Sequence, residues 1–326
     1  MKTRITERLG IRYPIVEGGM QWVGRAELAA AISNAGALGM VTARTQPTPE
    51  HLLAEIGKTR TLTDKPFGVN LTLSFKGNQD MDYGQWIDAI AEGGVKIVET
   101  AGNRPDGVID QLKAYGITVI HKCTSVRHAL SAERAGVDII SIDGFEAAGH
   151  PGENDTSALV IIPAVRRQLQ VPILASGGIA DGRGMAAALA LGADGVNMGT
   201  RFMLTRECAI HPNIKKALLA ACELDTTLIQ RAIKRTGRYF TNAVSTEIAA
   251  LEGRVGGARY EDTKHLLSGA RGKAGLESGE VHYGLICASQ VIGMIDDIPG
   301  CEELVQRMVA DCRQHLQETL KLFDAH

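Results

Sequence analysis

Two short glycine-bearing segments, Ala175-Ser176-Gly177-Gly178 and Met198-Gly199-Thr200-Arg201, constrain this chain more than any other feature. The apolar run Val171-Pro172-Ile173-Leu174 leads into the first, and Gly195-Val196-Asn197 leads into the second. Each reads as a short strand ending in residues whose backbone can come close to a ligand. One helix-length stretch, Gly184 to Leu191, separates them. Strands joined this way aim backbone N–H groups and a helix N-terminus at one edge, an arrangement suited to an anion. The anion expected is the phosphate of a flavin or of a sugar-phosphate substrate.

The same alternation runs along the chain. Apolar runs lie at 14–16, 38–41, 67–71, 96–99, 118–121, 138–142, 172–175 and 195–198, with helix candidates such as 26–35, 49–59, 86–92, 108–115, 126–135 and 158–169 between them. Eight strands alternating with helices predict an α/β fold, a closed (β/α)8 TIM barrel rather than an open sheet. The chain has 326 residues and 44% hydrophobic content, enough for one barrel and a small further module. Beyond residue 207 the pattern changes. Ile214, Leu218 and Ala221 fall at helical spacing, and Thr227–Lys234 and Thr241–Leu251 suggest further helices. The expected division is a barrel of 1–207 plus 285–326, closed by helices at 285–297 and 302–323, with a helical substrate-side insert at 208–284.

Several classes are disfavoured. Aromatic residues make up 4%, net charge is −2, and no basic run occurs, which argues against nucleic acid and anionic membranes as partners. No apolar stretch reaches the roughly 18 residues of a transmembrane helix, and residues 1–8 lack the apolar core of a signal peptide. A cytoplasmic location is the expectation. Six cysteines without paired spacing predict reduced thiols and no metal site.

In such a barrel the chemistry sits at the C-terminal ends of the strands. There the chain places Glu17-Gly18-Gly19-Met20-Gln21-Trp22, Asn70, Glu99-Thr100-Ala101-Gly102, His121-Lys122-Cys123, Asp143-Gly144 and Glu146-Ala147-Ala148-Gly149-His150-Pro151-Gly152. Polar and small residues concentrate on this rim. Strand alternation points His121 away from Lys122, so His121 reads as structural. Lys122 reads either as a cation serving a cofactor or as a Schiff-base nucleophile in a flavin-free lyase. Glu99 and Asp143 read as its partners. His150, between Gly149 and Pro151, is a candidate base or donor toward substrate. Met20 and Trp22 also read as packing residues.

The segments 18–22, 68–70, 99–102, 121–122, 148–152, 175–178 and 198–202, in this order, resemble the nitronate monooxygenase (2-nitropropane dioxygenase) family of FMN-dependent TIM barrels. The resemblance implies that Gly177, Gly178, Gly199 and Thr200 hold the FMN phosphate, with Ser176 and Met198 also binding the cofactor. It places Gly19, Met20, Gln21 and Asn70 against the ring or ribityl chain, with Lys122 near the ring and Gly149 passing close to the cofactor. Gln290 returns to it from the closing segment, and His150 and Lys122 are the implied catalytic residues. The implied reaction is oxidation of alkyl nitronates with O2. The order Ala148-Gly149-His150-Pro151-Gly152 is similar to the branch associated with NADH:quinone reductase activity, which makes NADH and a quinone the alternative partners, and enoyl reduction a third. No Gly-x-Gly-x-x-Gly follows the first strand, so no Rossmann site for NADH is indicated. A homodimer is compatible with the sequence.

Overall fold

The computed structural model describes residues 1–73, 82–102 and 107–323. The eight apolar runs become β1 (Ile15–Glu17), β2 (Gly39–Thr42), β3 (Phe67–Leu73), β4 (Ile97–Gly102), β5 (Thr118–Cys123), β6 (Ile139–Asp143), β7 (Ile173–Ser176) and β8 (Gly195–Met198). They pair in parallel in the order β1-β8-β7-β6-β5-β4-β3-β2. A parallel bridge between Val16 and Leu38 brings β1 against β2 and closes the TIM barrel. At that seam Glu17 Oε2 accepts the Met40 N–H at 2.8 Å, a carboxyl oxygen standing in for a ladder carbonyl.

Local sequence explains the connections. Thr48, Ser125 and Asp181 are side-chain N-caps for the helices Pro49–Leu62, Val126–Arg134 and Gly182–Ala190. Returns from helix to strand turn on left-handed glycines, Gly136 and Gly192 among them.

The barrel interior is layered. Val16, Leu38, Met40, Ile97, Ile120, Ile139 and Leu174 form one buried cluster with Ile5, Leu9 and Ile11. The helix Arg4–Leu9, capped by Thr3, therefore stoppers the lower end. Two residues further along the strands the inward positions turn polar: Thr42, Asn70, Glu99, Lys122, Ser141, Ser176 and Asn197. Side chains at i and i+2 face the same way, so this polar layer lies directly above the apolar one.

The helical expectation at Thr227–Lys234 is overturned. β9 (Thr226–Ile229) and β10 (Gly237–Phe240) pair antiparallel, with Tyr239 opposite Thr227. Between them a 3-10 turn, Arg231–Ile233, is flanked by left-handed Gln230 and Lys234. Thr-Thr-Leu-Ile and Arg-Tyr-Phe are rich in β-branched and aromatic residues, which favour a pleated surface. The helices Pro212–Leu219, Ala243–Glu252, Tyr260–Thr263 and Gly269–Ser278 complete the segment, and Ile229, Val244, Ile248 and Leu266 give it a small core of its own. Residues 285–297, also expected to be helical, form no α-helix: they hold one isolated bridge at Cys287 and one 3-10 turn at Gln290–Met294. The final helix, Cys301–Lys321, buries Leu304, Val305, Met308 and Cys312 but leaves Leu316 and Leu320 exposed, so its apolar stripe serves the barrel only in its first half. Among the described residues no helix is long and apolar enough to cross a membrane.

Leu174 is fully buried in the interior layer. Leu174→Ala is expected to cost about 2–5 kcal/mol, read as a lower urea midpoint with an unchanged slope.

Candidate active site

The floor of the site is the polar layer, and its centre is Glu99. This buried carboxylate accepts the Gly19 N–H at 2.9 Å, Asn70 Nδ2 at 2.9 Å and Asn197 Nδ2 at 2.7 Å. Asn197 Nδ2 also lies 3.1 Å from Ser141 Oγ. The loop after β1 rests directly on this layer. A Cβ at Gly19 would stand 2.1 Å from Asn70 Cγ, and one at Gly18 would stand 2.6 Å from Asn197 Oδ1. Only glycine permits that approach.

Lys122 rises from β5 beside this floor. Its ammonium donates to Asp143 Oδ1 at 2.9 Å and to Ser176 Oγ at 3.0 Å. Burial alone would pull its pKa down, but the Asp143 and Glu99 carboxylates more than offset this and hold it above the usual lysine value. Lys122 is therefore a fixed cation. An ammonium has three N–H groups and two are engaged here, leaving one for a ligand. That charge state disfavours the Schiff-base reading, which needs a neutral amine.

Above the floor lies a cavity of about 320 Å³. Gly19, Met20, Gln21, Lys122, Gly149, Ser176, Gly177, Gly178, Met198, Gly199 and Thr200, all singled out in the sequence, line it together. Gly177 and Gly178 are consecutive left-handed residues with φ of 79° and 75°. Their N–H groups and that of Gly199 have no hydrogen-bond acceptor among the described residues. Successive N–H groups in such a conformation make a concave donor set for an anion.

Three expected residues lie elsewhere. Asn70 is 2% exposed and packed beneath Gly19, so it supports the loop without lining the cavity. Gln290 does not line the cavity; its backbone N–H donates to the Glu146 carbonyl, and the neighbouring Ser289 and Val291 line the cavity in its place. His150 is exposed on the rim, outside the lining, with Nδ1 3.0 Å from the Thr236 carbonyl. It belongs to a fastening between the loop after β6 and the insert. Gly149 and Arg238 exchange both backbone hydrogen bonds, at 3.1 and 2.7 Å, and Glu153 accepts the Thr236 N–H at 2.9 Å.

The sequence reading passed over Asn197 and the roof. Asn197 lines the cavity, and its buried Oδ1 has no partner among the described residues. The roof comprises Tyr239, Leu267, Leu276, Leu285 and Cys287. The alternation in Gly237-Arg238-Tyr239-Phe240 was the available signal for Tyr239.

An eight-stranded parallel barrel with a donor-lined cavity at its C-terminal rim defines an α/β-barrel enzyme. The nitronate monooxygenase family matches this chain over residues 2–311, and the chain belongs to that family, whose members are FMN-dependent oxidoreductases. The (3aS,4S,5R,7aS)-5-hydroxy-7a-methyl-1-oxo-octahydro-1H-indene-4-carboxyl-CoA dehydrogenase of Rhodococcus jostii (strain RHA1) is 33% identical over 95% of this chain and 96% of its own length. A probable nitronate monooxygenase of Staphylococcus haemolyticus (strain JCSC1435) is 32% identical over 77% of this chain and 82% of its own. The structure of FabK from Thermotoga maritima superposes with a TM-score of 0.91 at 32% identity, covering 99% of both chains.

His121 faces away from the cavity, as alternation required; it is buried and its Nδ1 lies 2.8 Å from Thr100 Oγ1. Desolvation, aided by His128 and Lys122, lowers its pKa to about 4. Between about pH 6.5 and 4 the unfolded chain binds this proton and the folded chain does not. Stability present above pH 6.5 is thus lost as pH falls toward 4, by on the order of 3 kcal/mol. His121→Gln is expected to flatten the acid limb of a stability–pH profile by that order, measured by urea unfolding.

Proposed function

We propose that this chain is an FMN-dependent oxidoreductase whose substrate bears an oxygen conjugated to the reacting carbon, and that an acyl thioester fits it better than a small alkyl nitronate. The observation that carries this reading is a single cavity with three kinds of wall. One side offers unpaired backbone N–H groups, the floor offers the Lys122 cation, and the roof is apolar.

These residues fit FMN. Gly177, Gly178, Gly199 and Thr200 would hold the phosphate. Gly19, Met20, Gln21, Ser176, Met198 and Gly149 would line the ring and ribityl chain. Lys122 would face the ring. When bound, FMN supplies the two-electron redox chemistry that no side chain here can provide. The chain supplies the surroundings. Lys122 presents its remaining N–H wherever negative charge develops, already oriented by Asp143 and Ser176. Leu267, Leu276, Leu285 and Val291 keep water from the reacting atoms.

The roof favours the thioester. A small nitronate would leave Leu267, Leu276 and Leu285 uncovered, whereas an acyl chain would bury them. The relative acting on a CoA ester also matches almost the full length of this chain. Trp22, at the cavity wall, is flanked by Arg25 and Lys273, cations suited to the phosphates of CoA or of NADH as electron donor. Nitronate oxidation with O2 is the second reading, supported by the family match. A nitronate carries its negative oxygen where an enolate does, so the same donors would serve both.

The test is anaerobic mixing of the yellow protein with NADH and then crotonyl-CoA, and separately with ethyl nitronate, following the visible flavin band. Bleaching by NADH that crotonyl-CoA reverses is the expected result. Bleaching by ethyl nitronate alone would replace the thioester reading with the nitronate one. A colourless protein that does not take up added FMN would overturn both.

Valine at a left-handed position is strained, and its side chain would crowd the cradle. Gly178→Val is expected to weaken FMN retention about tenfold or more, measured by equilibrium dialysis. Wild-type affinity in that variant would remove the phosphate from this loop.

A further inference from the structure

The insert contributes one polar group to the cavity that the chemistry described so far does not use, the phenol of Tyr239. Its ring packs against the small core of Ile229, Val244, Ile248 and Leu266, and the residue lines the cavity beside Leu285 and Cys287. Two flanking strands fix its backbone. On one side Tyr239 sits opposite Thr227 of β9. On the other it forms an antiparallel bridge to Cys287, and the Phe240 N–H donates to the Ile286 carbonyl at 2.7 Å. The sequence also clears space for the ring. A Cβ at Gly237, two residues back on the same face, would stand 2.6 Å from Tyr239 Cε2 and 2.9 Å from Oη. No described residue forms a hydrogen bond with the hydroxyl. Burial pushes its pKa upward, so the phenol keeps its proton.

A neutral donor, rigidly held at the cavity wall and without an acceptor among the described residues, is available to a ligand oxygen. We propose that Tyr239 donates a hydrogen bond to the substrate's carbonyl or nitronate oxygen, from the wall of the cavity opposite the barrel floor. The insert thus contributes a catalytic residue as well as cover. The proposal rests on the reading above for the presence of an oxygen next to the reacting carbon, and it holds for either substrate.

The test compares the wild-type holoenzyme with Tyr239→Phe, which removes only the hydroxyl. Acetoacetyl-CoA is titrated into each while the visible flavin band is followed, and ethyl nitronate is then used in the same way. FMN content is expected to be unchanged, with the thioester bound about ten- to a hundredfold more weakly. Gly237→Ala, which keeps the hydroxyl on the chain but displaces it with the ring, is expected to show the same loss. Equal binding by wild type and Tyr239→Phe would overturn the role of Tyr239 and leave the substrate reading standing. If wild type ignores the thioester while Tyr239→Phe weakens ethyl nitronate, the thioester reading falls and Tyr239 stands. If wild type responds to neither probe, both fall.

Discussion

The site depends on a carboxylate buried inside the barrel. Glu99 cannot be solvated there, so it must be satisfied by protein donors, and three of them converge on it. Each donor comes from a different part of the barrel: Asn70 from β3, Asn197 from β8, and the Gly19 N–H from the loop after β1. The hydrogen bonds that satisfy one charge therefore fix the height of the loop that lines the cavity. They also explain why residues 18 and 19 are both glycine, since either Cβ would occupy space held by Asn197 or Asn70. The same carboxylate, with Asp143, helps keep Lys122 charged despite its burial. Floor, loop and cation form one electrostatic unit, and none of its parts can be relocated independently.

Much of this was legible in the chain. Eight apolar runs at regular spacing required eight strands, and the glycine pair after β7 marked a sharp turn at the rim, because Gly177 and Gly178 take left-handed angles that only glycine adopts cheaply. Lys122 and His121 were separated correctly by strand alternation alone. Three residues assigned to the site lie outside the cavity lining, for identifiable reasons. Asn70 ends its apolar run on the right rim and shares the layer of Lys122 and Asn197, but the loop at Gly19 lies directly over it. His150 stands in a loop, where sequence gives proximity to the rim without direction. The hydrogen bond to Thr236 that anchors it comes from a residue 86 positions away. Gln290 and Ser289 are adjacent, and the 3-10 turn beginning at Gln290 sends only Ser289 and Val291 to the cavity.

The insert was misread because its signals are short. β9 and β10 have four residues each, too few for periodicity to outweigh the surrounding helical pattern. Their pairing makes sense only in three dimensions, where β10 is flanked by β9, by the 286–287 segment and, through Arg238, by Gly149 of the barrel loop. Arg238 adds a side-chain hydrogen bond to the Phe145 carbonyl and stacks over the Phe145 ring. The roof is thereby joined to the loop after β6 mainly by buried backbone contacts. The exposed Arg231–Asp155 pair on the same seam adds little by comparison.

This division of labour bears on how one family can serve different substrates. The cradle, the Glu99 floor and Lys122 come from strand ends of the barrel, whose positions are fixed by ladder hydrogen bonds. On the reading proposed above they would serve the cofactor and the charge on the reacting atoms, both of which a nitronate and a thioester enolate share. The roof comes from a segment with a small core of its own that also packs into the barrel core through Ile214, Leu218, Phe240 and Leu276. None of its described residues hydrogen-bonds to Glu99, so on the same reading selectivity for the part of the substrate beyond the reacting carbon would be set there. In this chain that roof presents Leu267, Leu276 and Leu285 with the hydroxyls of Tyr239 and Ser268 beside them. On the reading proposed above, a largely apolar surface suits an acyl chain better than it suits a small anion that must be bound by charge alone.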